Sequence, residues 1–162
     1  MEEHKINKQE RIKRIFPAYF SQFVLPEGAR EEELQVYRAC RSGKCDKASF
    51  LPTYEERGCK IYEGEDIKDP KLYSLSTYLK PKDVKRFASM TSDMQVPYKI
   101  AIGITHARWG LVQPTKEREH KKTSHVDWWL YKDATPYESF ELIPNFEEYL
   151  TLYKQERDEK NV

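Results

Sequence analysis

The most regular hydrophobic spacing lies near the start of the chain, where Ile12, Ile15, Phe16, Tyr19, Phe20 and Phe23 recur every three or four residues. That is the period of one helix face. Pro17 interrupts the stripe, and proline is tolerated in a first helical turn. The pattern therefore predicts a helix over 17–24, stopped by Leu25-Pro26-Glu27-Gly28 and preceded by a flexible basic arm over 1–14. Residues 33–40 alternate instead, which predicts a strand with Arg38 near its end. In 47–56, Ser49, Pro52 and Thr53 supply a helix start, and Phe50, Leu51 and Tyr54 supply its buried side.

Residues 72–79 read as a strand or strand-to-helix turn, and a helix carrying Val84, Phe87, Ala88 and Met90 begins at Pro81. The β-branched run over 97–105 and the VDWWLY run over 126–131 are the clearest strands, and the polar stretch 113–122 between them reads as a solvated loop or hairpin tip. A short strand over 140–143 and a helix over 144–154 follow, with Phe146, Tyr149, Leu150 and Tyr153 on one face and a frayed polar tail over 155–162. With no repeat and no linker, the expectation is one α+β domain over 1–162: a small mixed or antiparallel sheet flanked by N- and C-terminal helices.

Composition narrows the function classes. Among 162 residues, 28 Lys and Arg face 27 Asp and Glu. Bulk charge therefore exerts no pull toward nucleic acid or an anionic membrane, and only a local cluster of cations can do so. No stretch reaches the roughly 18–20 apolar residues of a membrane span, and no secretory apolar region follows the charged start. The expected setting is cytoplasmic, with no membrane partner. Three cysteines, Cys40, Cys45 and Cys59, are too few for a disulfide framework and suit reduced thiols.

The signatures of phosphate loops, dinucleotide turns, zincins and α/β-hydrolase elbows are absent. Cys40, Cys45 and Cys59 with His106, His120 or His125 offer thiolate and imidazole, the ligands zinc prefers. No CxxC knuckle accompanies them, so they read as unligated and no metal is assigned. Cys40 and Cys45 also lie among Arg38, Arg41, Lys44 and Lys47, a setting that favours thiolate, but no histidine is placed beside them and a solvated basic loop explains the charges.

A three-part constellation carries the sharpest enzymatic expectation. Tyr37-Arg38 ends a predicted strand, Tyr73-Ser74-Leu75-Ser76-Thr77 forms a hydroxyl-rich middle segment, and Asp127, Glu138 and Glu141 are late acids. An arginine can hold a pyrophosphate bidentately, short hydroxyl side chains can surround a nucleotide, and a carboxylate can steady a developing oxocarbenium ion. The set resembles the ADP-ribosyltransferase superfamily. That resemblance implies NAD as substrate, with Arg38, Ser74 and Thr77 binding it and Ser76 and Glu141 catalytic. The same residues also suit a half-buried strand with a surface arginine. Over a longer reach, FLPTYEE (50–56), YSLSTYLKPKDVKRF (73–87) and KKTSHVDWWLYKDA (121–134) resemble small proteins carried by Gram-positive bacteria and their mobile elements, a likeness that brings no chemistry.

The alternative is a non-enzymatic interaction protein. Trp128 and Trp129 are adjacent on a predicted strand and must point to opposite faces. If one is exposed beside Lys121 and Lys122, it can stack a nucleic-acid base or anchor a host protein; if both are buried, they build the core. His125 and Asp127 share a strand face and form a candidate acid–base pair.

Overall fold

The computed structural model describes residues 14–91 and 98–160. The basic arm, apart from Arg14, and Pro97 at the edge of the third expected strand lie outside the described residues. Six strands are present among them: β1 (Gln35–Cys40), β2 (Leu75–Tyr78), β3 (Lys99–Ile104), β4 (Gly110–Pro114), β5 (His125–Leu130) and β6 (Phe140–Leu142). They form one sheet in the order β4-β5-β2-β1-β3-β6, and every pairing is antiparallel. The domain is α+β, as the alternation of strand and helix signals predicts.

Register sorts the side chains. Tyr37 lies opposite both Tyr78 and Ile102, and Leu75 lies opposite Trp128. Successive residues therefore divide between two faces. One carries Val36, Leu75, Ala101, Val112, Val126 and Trp128, a single cluster closed by Phe50 and Phe140. The other divides by location. Tyr37, Ala39 and Ile100 pack against Val84 and Ala88 of α2 (Pro81–Thr91) and Phe146 and Tyr149 of α4 (Phe146–Lys160), whereas Trp129 joins Phe23, Tyr54, Leu72 and Tyr73. Two glycines permit close approaches: a Cβ at Gly103 would enter the Phe140 ring, and one at Gly110 would strike the Trp129 carbonyl.

Several elements differ from their expectations for identifiable reasons. The first helix is a 3-10 segment, Ala18–Gln22. The 47–56 helix is two pieces, a 3-10 turn over Lys47–Phe50 and α1 (Thr53–Glu56), because Pro52 holds Leu51 extended between them. The polar 113–122 stretch is not a solvated tip. It begins in β4 and continues into the single-turn α3 (Lys116–Glu119), and its Gln113 and Thr115 are buried. The C-terminal helix runs on to Lys160, so residues 155–160 are helical rather than frayed; Lys, Gln, Glu and Arg there are all good helix formers. No helix among the described residues is long and apolar enough to cross a membrane.

Candidate functional site

Arg38 is buried rather than presented to a ligand. Its Nε donates to the Ser49 carbonyl at 2.9 Å and Nη1 to the Ser76 carbonyl at 2.9 Å, while Nη2 lies 3.8 Å from Glu56. Burial lowers its pKa against the opposing pull of Glu56. The guanidinium thus ties β1 to β2 and to the 3-10 turn at Lys47–Phe50, a different task from the phosphate contact expected of it. Thr77 is also buried, donating to the Val126 carbonyl at 3.1 Å. Ser76 is half-buried on the opposite sheet face.

The late acid stands apart. Glu141 is exposed on β6, opposite Ile102 of β3. Strands β1 and β3 intervene between it and β2, a separation of roughly 14 Å at the usual strand spacing. Arg38, Ser74 and Glu141 therefore share no cleft, and Glu138 is exposed in the 3-10 turn Pro136–Ser139.

Asp127 does gather partners, but they close around it. Its side chain is wholly buried and accepts from Ser74 Oγ at 2.6 Å, Thr115 Oγ1 at 2.7 Å and Arg118 Nη2 at 2.8 Å. Arg118 also donates to Gln113 at 2.8 Å and lies over the Trp129 ring. Thr115 has one hydroxyl proton, which it gives to Asp127, so His125 Nδ1, bonded to the same Thr115 oxygen, must be the donor in that contact. His125 and Asp127 are thus linked through Thr115. Burial pulls the imidazole below its ordinary range and outweighs the attraction of Asp127; Lys71 and Arg118 add to the lowering. This network fastens the 113–119 segment to β5 and β2.

Of the two alternatives left open for the paired tryptophans, the structure shows both buried. Trp128 and Trp129 have no exposed surface, and Trp129 Nε1 donates to the Pro70 carbonyl at 2.9 Å. They do point to opposite faces, but each face is covered. Cys40 is buried too, and burial pushes its thiol up to about 12, away from thiolate. No group of three or more His, Cys, Asp or Glu residues among those described is placed to hold a metal ion.

Lys121 and Lys122 remain exposed, and they line a groove of about 520 Å³. Its walls come from three places: the entry to α2, the 116–124 turn and the outer half of α4. Lys80, Lys82, Lys116, Lys121, Lys122 and Arg157 contribute six cations against Asp83. Among the described residues no ion pair forms at Lys80, Lys82, Lys116, Lys122 or Arg157, and Lys121 lies 3.9 Å from Glu119. Ser124, buried at the groove, accepts the Lys80 amide at 3.1 Å. Two other cavities, beside Phe50 and Tyr137 and beside Trp109 and Lys132, have linings of mixed charge.

The 116–122 part of this cluster is legible in sequence. Lys80, Lys82 and Arg157 are not, because only the pairing of β2 with β5 and the packing of α4 bring them near. The chain matches no protein-family model, no curated protein and no solved structure.

Proposed function

We propose that this chain is a non-enzymatic nucleic-acid-binding protein that takes the phosphate backbone into the Lys80–Arg157 groove. The observation that carries this reading is segregation of charge: a chain of net charge +1 places six cations against one acid around a single cavity. Gathered around one cavity with few carboxylates among them, cations repel one another, and an arriving polyanion relieves that repulsion. An acidic protein partner fits less well. Protein interfaces depend on buried aromatic anchors, and the two tryptophans that would have supplied them are inside the core.

The dispersal of Arg38, Ser74 and Glu141 also favours binding over transfer of ADP-ribose from NAD. The reading is tested by titrating a fluorescent single-stranded oligonucleotide across a series of salt concentrations. Single-strand binding loses about 0.7 log units of affinity per log unit of salt for each phosphate neutralised, so one or two contacts in the groove give a slope of about −0.7 to −1.4. An affinity indifferent to salt, or no saturable binding, would overturn it.

A further inference from the structure

The groove is compact. At about 520 Å³ it has the size of a site for one small organic ligand rather than a track for a long strand. A mid-strand segment short enough to enter brings about one negative charge per nucleotide, far fewer than the six cations around it. From this mismatch we infer that the groove recognises the phosphorylated end of a nucleic-acid strand, seating a terminal phosphomonoester among Lys82, Lys122 and Ser124. This inference rests on the nucleic-acid reading above and adds what part of the strand is held.

A terminal phosphate carries about −1.5 to −2 charge at neutral pH and three acceptor oxygens, whereas an internal phosphodiester carries one charge. The first property brings up to twice the charge of an internal phosphate to the excess of cations. The second requires directed donors, and Ser124 supplies one. Its side chain is buried at the groove with the oxygen fixed by the Lys80 amide. A hydroxyl has one proton to donate besides the lone pairs with which it accepts, and among the described residues no acceptor takes the Ser124 proton. Thr123 is a second hydroxyl residue in the lining, and its oxygen accepts the His125 amide at 3.1 Å. The lysines furnish flexible ammonium donors around these two fixed hydroxyls. Asp83 is the acid in the lining.

The test compares short oligothymidylates, labelled at an internal base, that end in hydroxyls, in a 5′-phosphate or in a 3′-phosphate. One phosphorylated end should bind about tenfold tighter than the hydroxyl-ended strand, the worth of one charge-assisted contact. Lys82→Gln with Lys122→Gln should erase the preference while circular dichroism stays unchanged, since both side chains are exposed, and Lys132→Gln, outside the groove, should retain it. Equal affinity for all three strands would overturn end recognition and leave nucleic-acid binding standing. No binding to any of them would overturn both. Competition by thymidine monophosphate at the concentration of the phosphorylated strand would also overturn the inference, because the ligand would then be a free nucleotide rather than a strand end.

Discussion

Arg38 and Lys122 are both cations in regions where the sequence suggests anion binding, and the fold gives them opposite situations. Arg38 is buried and donates to two main-chain carbonyls with Glu56 nearby. Lys122 is exposed, without a carboxylate partner, in a lining where cations outnumber acids six to one. The same contrast separates Asp127, whose carboxylate receives three donors, from the unmatched lysines around Ser124. Side chains whose hydrogen bonds are complete within the fold hold elements together. Side chains left with uncompensated charge in a concave surface are the ones available to a ligand.

This contrast is broken if its first member tolerates loss. Asp127→Ala should destabilise the fold by about 3–5 kcal/mol, because Arg118 is left partly buried without its counter-ion and Ser74 and Thr115 lose their acceptor. Denaturant unfolding measures it. Arg38→Ala should cost about 3 kcal/mol by leaving the Ser49 and Ser76 carbonyls without donors; a variant as stable as the parent would show Arg38 to be free for other work.

A smaller effect sharpens the picture of the Asp127 network. The folded-state pKa of His125 lies below its ordinary value because burial disfavours the imidazolium. As pH falls through about 6.5 the unfolded chain takes up this proton first. Stability is therefore full above that pH and declines below it until the folded imidazole protonates as well. Urea midpoints measured from neutral pH into the acid range should show the decline, and His125→Gln should make it shallower. The smallest effect on stability belongs to the groove. Lys82→Gln, Lys121→Gln and Lys122→Gln should each change stability by less than about 0.5 kcal/mol, yet together they should abolish oligonucleotide binding at physiological salt.

The strands were legible where the chain is β-branched and apolar, as in β3, or where alternation ends at a turn, as in β1. β4 was hidden because Gly110 and Pro114 bound a strand of only five residues, and its Gln113 looks like a surface residue until Arg118 is seen to donate to it. Arg38 misled for a related reason: an arginine at a strand end commonly faces solvent, and nothing local shows that the turn at Lys47–Phe50 folds over it. The opposite facing of Trp128 and Trp129 follows from strand geometry, but whether each face is covered depends on Phe23, Tyr73 and Phe140, which are distant in sequence. Half of the groove was visible as the Lys116–Lys122 run. The other half exists only once β2 pairs with β5 and α4 contributes Tyr153 and Arg157 to the lining.

Amide chemical shifts recorded as a single-stranded oligonucleotide is added test the central claim most directly. Perturbations confined to residues 79–83, 116–124 and 153–157 are the predicted result. Perturbations centred on Arg38, Ser74 and Glu141, or on the cavity beside Trp109 and Lys132, would contradict the assignment of the groove.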